Sequence, residues 1–195
     1  MEERALETLK AILTARGLKA EKFDPIGNGL DETKMYSTDG ILIVFSTKSR
    51  VTERDIMSFV EYAKENSYSA GVIIVSLSKA SDTTLTALRN YVRDRKNMMV
   101  QLFEIRHLQF DISKHRKVPQ HRILNDDEKS KLLKQLNIKN YKQLPKIDSQ
   151  DAMARWIGAR PGDVIEVTGM CEASGENKRY RYCLADVING EDSEL

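Results

Sequence analysis

Three short, almost wholly apolar segments constrain the fold more than any other feature of this 195-residue sequence. They cover residues 41–45, 72–75 and 98–103. Each has the length of a β-strand, and amphipathic helices are predicted between them, one capped by Thr52 and one opened by Ser81. A third amphipathic stretch precedes them at residues 5–13. Strands that are apolar on both sides belong in a sheet whose two faces are covered by helices. The first part of the chain is therefore predicted to be an α/β domain.

The pattern changes after about Asp111, where a basic stretch at residues 114–117 is followed by Val-Pro. Asn125 with Glu128 three residues later has the form of a capping box at the start of a leucine-bearing helix. Further on, Asp148 or Ser149 is expected to cap a short helix that ends at Gly158. Two strand-like segments, 164–170 and 180–187, then predict a closing hairpin. We expect two domains, residues 1–112 and 113–195, the second a small α+β unit.

Turn residues and cysteines give two further expectations. Residues 25–29 contain proline, glycines and asparagine, which favour a turn, and Gly162, which follows Pro161, is expected to adopt a positive φ in another turn. If the closing hairpin turns near Gly175, Cys171 faces about residue 179 and Cys183 about residue 167. The two thiols would then not meet, so buried thiols are favoured over a disulfide, as suits a reducing compartment.

The overall charge argues against a freestanding nucleic-acid binder. Lysine and arginine number 31 against 29 aspartates and glutamates, a formal net charge of +2. Phosphate neutralisation supplies most of the affinity for DNA and usually needs a larger basic excess. Any contact with DNA is therefore expected only inside a larger assembly. No run of eighteen apolar residues occurs, so a membrane span is not predicted.

One arrangement around the first apolar strand resembles the outline of a restriction-type nuclease site. Asp39 precedes this strand and Lys48 follows it, as an acid and a lysine do in such sites. The position two residues before Lys48 holds Ser46, which cannot replace a carboxylate as a Mg²⁺ ligand. The outline therefore favours a related fold without cleavage. A nuclease-fold DNA-processing protein stays as the alternative function, and a standalone adaptor as a third.

No cofactor or metal site is predicted. The histidines His107, His115 and His121 lack the paired spacing that identifies zinc ligands. The sequence contains neither a P-loop nor a Gly-x-Gly-x-x-Gly motif. Solvated or packing histidines are the simpler interpretation.

Several short motifs follow one another in the second half of the chain. They are DISKH and VPQH within residues 111–121, EK and LL within 128–133, QLPKI at 143–147, DAMARWIG at 151–158, RPGDV at 160–164, SG at 174–175 and YR at 180–181. In this order they resemble the assembly domain of the fifth, shared small subunit of eukaryotic-type RNA polymerases, a family that also has archaeal members. Ala152 stands where the family has a proline.

The resemblance implies a non-catalytic shared subunit of a multisubunit DNA-directed RNA polymerase. Its C-terminal assembly domain would bind the largest subunit and other polymerase subunits, and its N-terminal domain would form part of the lower jaw near downstream duplex DNA. The positions that this implies for subunit contacts are Pro119, His121, Leu144, Pro145, Arg155, Gly162, Tyr180 and Arg181. For Arg155, a bidentate pair with a partner carboxylate and a merely solvated guanidinium both stay open.

The N-terminal domain of this family has a nuclease-like sheet flanked by helices, with a DNA-facing loop after the second strand. The family sequence Thr-Pro-Ser-Ala of that loop corresponds here to residues 80–83, without the proline and with an added acid. Lys79, Ala80 and Ser81, together with Lys48, are thereby candidate DNA-proximal residues. Archaeal members lack this domain, so the resemblance implies a nuclear protein. A large DNA virus is the alternative source, with the cytoplasmic viral factory and the virion as locations.

Overall fold

Two mixed β-sheets, one of five strands and one of four, organise the part of the chain that the computed structural model describes. That part comprises residues 1–20, 22–27, 30–94, 96–171 and 175–186. The chain divides into two units, Met1–Asp111 and Ile112–Leu195, and each sheet lies within one of them. Together with five α-helices among the described residues, this is an α/β protein.

The first unit contains the five-stranded sheet. Its elements are α1 (Glu2–Ala15), β1 (Asp24–Ile26), β2 (Thr33–Thr38), β3 (Ile41–Ser46), α2 (Glu53–Glu65), β4 (Gly71–Ser76), α3 (Asp82–Arg93) and β5 (Val100–Glu104). The strands lie in chain order, β1 to β3 antiparallel and β3 to β5 parallel. Because parallel neighbours need a crossover, α2 and α3 each lie between two of these strands in the sequence.

Both faces of this sheet are covered, as predicted. On one face, side chains of the parallel strands form a core with α2 and α3, for example Leu42 and Ile74 with Phe59 and Leu88. The other face carries Ile43 and Ile73, which are also fully buried. Helix α1 covers that face, because its two ends bond to β2 and β5 through Glu2 and Arg16.

The first unit also contains two strands that the sequence did not predict. Residues 25 and 26, expected in a turn, pair in β1 with Tyr36 and Met35 of β2. Asn28 and Gly29, the other part of that expectation, lie outside the described residues. A proline is tolerated here because β1 is an edge strand, where its missing N–H removes no ladder bond. Strand β2 escaped detection because its sequence, TKMYST, is mostly polar.

The second unit contains the four-stranded sheet, in the order β6-β8-β9-β7. Its elements are β6 (Gln120–Ile123), α4 (Asp126–Leu136), β7 (Lys146–Asp148), α5 (Ala152–Ile157), β8 (Val164–Cys171) and β9 (Gly175–Leu184). Strand β9 is antiparallel to β8 and parallel to β7. The predicted hairpin is therefore the centre of a sheet, and the short strands β6 and β7 at its edges were not predicted.

The two faces of β8 and β9 pack on different helices. Val164 and Tyr182 lie on one face, in a core to which α4 contributes Leu132. Ile165 and Cys183 lie on the other face with Ala154 of α5. Alternate residues of both strands thus serve two small cores, as period-2 geometry requires.

Two local predictions in this unit are wrong. Asp151, and not Asp148 or Ser149, caps α5, since its Oδ1 accepts from the Met153 and Ala154 N–H groups at 2.8 and 3.2 Å. Ser149 instead donates to the Ala185 carbonyl from a buried position.

The predicted hairpin register is also wrong. Gly175, expected at the centre of the turn, is instead the first residue of β9 and pairs with Cys171. The buried Cys183 donates its N–H to the Asp163 carbonyl at 2.9 Å, far along the strands from Cys171. The prediction that the cysteines do not meet is confirmed, and Cys183 is a buried thiol.

No helix in the described residues combines the length and the apolar character that a membrane span requires.

The backbone at Gly71 generates a stability prediction. Its φ is +151°, and a Cβ there would lie 2.7 Å from the Met99 carbonyl oxygen. Gly71→Ala should therefore lower the free energy of unfolding by about 2–3 kcal/mol, because backbone must shift between β4 and β5. Gly27→Ala, where a Cβ meets nothing within 4 Å, is the control. Urea unfolding measures both, and equal stabilities of the two variants would contradict this account.

Candidate partner-binding and DNA-facing sites

The residues predicted for partner binding spread over several elements of the second unit. Pro119 and His121 lie at β6, Leu144 and Pro145 precede β7, Arg155 lies in α5, Gly162 precedes β8, and Tyr180 and Arg181 lie in β9. The structure shows that some of them hold this unit together, whereas others present side chains at its surface.

Leu144 and Gly162 have clear roles inside the unit. The Leu144 side chain is 7% exposed and packs in one core with Leu124 and Val164. Gly162 adopts φ +91°, the conformation predicted for its turn, and donates its N–H to the Cys183 carbonyl at 2.9 Å. A side chain at Gly162 would be strained because L-residues rarely adopt this φ.

Pro145 and Arg181 lie where β7 joins the sheet. The Pro145 carbonyl accepts from the Tyr182 N–H at 2.8 Å, while its ring is exposed. The Arg181 Nη1 donates to the Lys146 carbonyl at 3.2 Å. The exposed proline ring is thus held in a fixed position by backbone hydrogen bonds, as a contact surface requires.

Pro119 and His121 lie at the opposite edge of the same sheet, beside β8. His121 Nδ1 is 2.8 Å from the Pro119 carbonyl oxygen. Pro119 lies over Gly169, where an added Cβ would be 3.7 Å from the proline Cβ. Both residues are half-buried, so they present part of their surface to solvent.

Tyr180 belongs to a charged network that the sequence did not reveal. Arg122 donates to Glu128 at 2.7 Å and to Glu166 at 3.1 Å, and the Tyr180 hydroxyl donates to Glu166 at 3.4 Å. Burial, followed by the Glu166 carboxylate, raises the pKa of Tyr180. Hydrogen bonds to Glu128 and Glu166 raise the pKa of Arg122. The capping box correctly indicated Glu128, but no local pattern could indicate pairing with a residue so distant in sequence.

Arg155 lies on α5 with its side chain half-buried, which excludes the fully solvated alternative. Burial lowers the pKa of its guanidinium, and the carboxylates of Asp151 and Asp148 oppose that shift. The positive charge is therefore surrounded partly by carboxylates of its own unit. A carboxylate of a partner that reached Arg155 would therefore join a cation that Asp148 and Asp151 already partly neutralise.

In the first unit, Lys48 is paired with carboxylates and is not the end of a metal-binding triad. Its Nζ is 2.6 Å from Asp55 Oδ1 and 3.8 Å from Glu32 Oε2. The buried Ser46 side chain accepts from the Lys48 N–H at 3.3 Å. Asp39 precedes β3 and Lys48 follows it, so the six-residue strand separates them by roughly 20 Å. The nuclease-like outline of acid and lysine is therefore not assembled in this structure.

The candidate DNA-proximal loop contributes one exposed cation, Lys79. Ala80 is half-buried and packs against the core of the first unit. Ser81 caps α3 by accepting from the Thr84 N–H at 3.3 Å, and its hydroxyl lies 2.8 Å from that of Thr83. Sequence correctly predicted this cap, which leaves Lys79 as the side chain of the loop best placed to meet a phosphate.

The histidines do not form a metal site in the described residues, where no group of three histidine, cysteine or acidic side chains is placed to hold an ion. His107 and His115 are exposed. His115 Nδ1 accepts from the Lys117 N–H at 3.3 Å, so it shapes the turn that precedes β6.

Comparison with known proteins places this arrangement in context. Residues 110–183 match the family model described as RNA polymerase Rpb5, C-terminal domain. The chain is 47% identical over 74 residues to the DNA-directed RNA polymerase subunit Rpo5 of Sulfolobus acidocaldarius, covering 38% of this chain and 87% of that protein.

Two eukaryotic relatives match a longer stretch. Identity to the DNA-directed RNA polymerase V subunit 5A of Arabidopsis thaliana is 33% over 145 residues, covering 74% of this chain and 63% of that protein. Identity to the DNA-directed RNA polymerases I, II, and III subunit rpabc1 of Dictyostelium discoideum is 29% over 147 residues. This match covers 75% of this chain and 73% of that protein. The chain thus spans less than two thirds of the length of the Arabidopsis protein.

The Lys48–Asp55 pair generates a pH prediction. Burial raises the pKa of Asp55, but the bonds from Lys48 and Thr52 outweigh it, and the net pKa is lowered. A carboxyl group whose pKa is depressed in the folded state stabilises the fold at pH values above its unfolded-state pKa, about 3.9. This contribution is lost as the pH falls through the folded-state pKa. Asp55→Asn should therefore flatten the acid branch of the stability profile of the first unit.

Urea unfolding between about pH 5 and pH 2, followed by the NMR signals of Val44 and Ile74, measures this slope. Glu61→Gln, an exposed position on α2 with the same change of charge, is the control and should retain the wild-type slope. An unchanged slope in Asp55→Asn would show that the Lys48 pair does not depress this pKa.

Proposed function

Since the chain belongs to the Rpb5 family of RNA polymerase subunits, we propose that it serves in transcription as a non-catalytic shared subunit of a multisubunit DNA-directed RNA polymerase. The observation that carries this proposal is the 47% identity to an archaeal polymerase subunit over 87% of that subunit's length. The match of residues 110–183 to the family model supports it independently.

In this proposal the second unit, from about residue 113 to residue 195, carries assembly. It binds the largest polymerase subunit and contacts other subunits. Three features support this role: the family match falls on this unit, the Pro145 ring is exposed at one sheet edge, and Pro119 with His121 is partly exposed at the other. Leu144 and Gly162 contribute by maintaining the fold that positions these surfaces.

The first unit, residues 1–111, forms part of the lower jaw and meets downstream duplex DNA only within the complex. It contains 16 lysines and arginines and 16 aspartates and glutamates, so it has no net charge that would attract DNA on its own. The exposed Lys79 is the contact we assign to a DNA phosphate. Lys48 is a weaker candidate because Asp55 and Glu32 already neutralise it.

The sheet of the first unit is proposed to be nuclease-like in fold without cleaving DNA. In this proposal the polymerisation reaction belongs to the large subunits. The separation of Asp39 from Lys48 and the buried Ser46 support this over a DNA-processing enzyme. The eukaryotic relatives favour a nuclear location, and a viral member would act in the cytoplasmic factory and the virion.

The absence of cleavage is directly testable. Purified protein incubated with supercoiled plasmid and Mg²⁺ or Mn²⁺ should leave the plasmid intact, because Ser46 occupies the position of a metal-binding carboxylate and the carboxylates beside Lys48 are paired with its ammonium group. Lys48→Ala purified in parallel identifies contaminating nuclease, which would persist in the variant. Cleavage by the wild type that Lys48→Ala abolishes would overturn the proposal.

Assembly is tested by co-purification of the largest polymerase subunit with tagged protein. Residues 112–195 should recover it, whereas residues 1–111 should not. Within the full chain, Arg155→Ala should weaken the affinity about 10- to 150-fold and reduce recovery accordingly, the effect of losing one charge-assisted hydrogen bond of about 1.5–3 kcal/mol. Arg155→Lys retains the charge but loses the planar fork, so an intermediate result indicates bidentate contact.

The fluorescence of the buried Trp156 verifies that each of these proteins that contains it is folded. If residues 1–111 alone recover the largest subunit and residues 112–195 do not, the roles of the two units are reversed from those proposed.

A further inference from the structure

The second unit contains a groove whose role the proposed function does not explain. It has a volume of about 630 Å³. One wall is the segment that leads into β6, and the other is formed by residues 167–170 of β8 and residues 176, 177 and 179 of β9. Its lining includes Arg116, Lys117, Pro119, Met170, Glu176 and Arg179.

The edge of β8 is open at this groove. Strand β6 pairs with β8 only up to Gln120, which lies opposite Thr168, although β8 continues to Cys171. The Leu124 N–H donates to the Val164 carbonyl, so Val164 and every second residue after it direct their backbone groups toward the β6 side. Met170 continues this alternation beyond the end of β6.

The residue that would pair with Met170 is turned away from it. Continuing the β6 register places Val118 opposite Met170, but the Val118 N–H donates to the His115 carbonyl at 2.8 Å. Among the described residues, no strand pairs with Met170 on this side. Its side chain is 85% exposed, the largest exposed fraction among the exposed large hydrophobic residues. The groove therefore offers a backbone donor and acceptor next to apolar surface, which is what an added strand requires.

The charges of the groove indicate what kind of strand fits. Arg116, Lys117 and Arg179 are exposed, and none of them forms an ion pair with a described carboxylate. Glu176, the acid in the lining, already lies 4.0 Å from Lys178 Nζ. Three cations that no described carboxylate compensates, around an open strand edge, favour a segment that carries carboxylates.

We propose that this groove binds an extended acidic segment of a neighbouring polymerase subunit, which adds a short strand beside Met170 and places carboxylates against Arg116, Lys117 and Arg179. The identity of the partner rests on the proposed function, whereas the chemistry of the groove does not. A peptide is favoured over nucleic acid because the open edge offers backbone groups and the described lining contains no aromatic ring on which a base could stack.

The test is an NMR titration of the ¹⁵N-labelled full chain with a capped hexapeptide of alternating glutamate and valine. The amide signals of Gly169, Met170 and Gln120 should shift, and affinity should fall as salt is added. The same peptide with lysine in place of glutamate should leave them unchanged. A twelve-base-pair DNA duplex that shifts these signals at lower concentration than the acidic peptide would overturn the proposal in favour of a nucleic-acid surface.

Two pairs of variants separate the strand from the charges. Met170→Pro removes the N–H that points into the groove but keeps the bonds between β8 and β9, and it should weaken binding at least tenfold. Met170→Ala keeps that N–H and should bind nearly as the wild type does. Lys117→Glu with Arg179→Glu should abolish binding, whereas Lys134→Glu with Lys139→Glu, an equal change of charge at exposed positions elsewhere in the unit, should not.

Equal affinity of Met170→Pro and Met170→Ala would show that no strand is added.

Co-purification then identifies the partner: Met170→Pro and the Lys117/Arg179 variant should recover less polymerase than their controls. If they recover as much as the wild type does, the groove does not serve polymerase assembly and this inference is wrong, while the proposed function stands. If the wild type itself recovers no polymerase subunit, the proposed function fails whatever the peptide does.

Discussion

The fold of the first unit depends on burying β3 and β4 on both faces at once. All six residues of each strand are buried, so neither strand can lie at a surface or an edge. Helix α1 must then cover one face and helices α2 and α3 the other, and the parallel arrangement follows because a crossover helix separates successive strands. The close approach of Gly71 to the Met99 carbonyl is a result of the same packing, since β4 and β5 are adjacent there.

Within each unit, charged side chains outside the apolar core neutralise one another. Lys48 is held by Asp55 and Glu32 at the carboxyl end of β3, the end where α/β proteins commonly place their ligands. In the second unit, Arg122 joins the start of α4 to β8 through two carboxylates. The cations of the groove beside Met170 differ from both, because their charge is not compensated by described residues. This contrast distinguishes charges that stabilise a unit from charges available to a partner.

The accuracy of the sequence-based predictions followed the strength of the local signal. The apolar strands, the caps at Thr52, Ser81 and Asn125, and the turn at Gly162 all depend on neighbouring residues, and all were predicted correctly. Strands β1, β2, β6 and β7 are short or polar and exist because a neighbouring strand pairs with them, so no local pattern revealed them. The N-cap of α5 was misplaced because aspartates or serine occupy several adjacent positions and only tertiary contacts select Asp151.

The candidate sites were predictable to a smaller extent for the same reason. Motif resemblance indicated the correct family, but it did not distinguish Pro145, whose ring is exposed, from Leu144, which lies in a core. The pairing of Lys48 with Asp55 and of Arg122 with Glu166 joins elements whose proximity only the fold determines. Whether a charge is compensated, and therefore what it can bind, is a property of these distant contacts.

The position of β9 has a consequence for how the protein is made. Among the described residues it is the last strand of the second unit in chain order, yet it lies inside the sheet between β8 and β7. On the ribosome, β6, β7 and β8 emerge without the strand that joins β7 to the others, while the first unit already has all its strands. The first unit can therefore fold during synthesis, whereas the second must wait until β9 leaves the exit tunnel. Until then the apolar residues of β8 are exposed to chaperones and proteases, so the second unit is the later of the two to become competent to bind a partner.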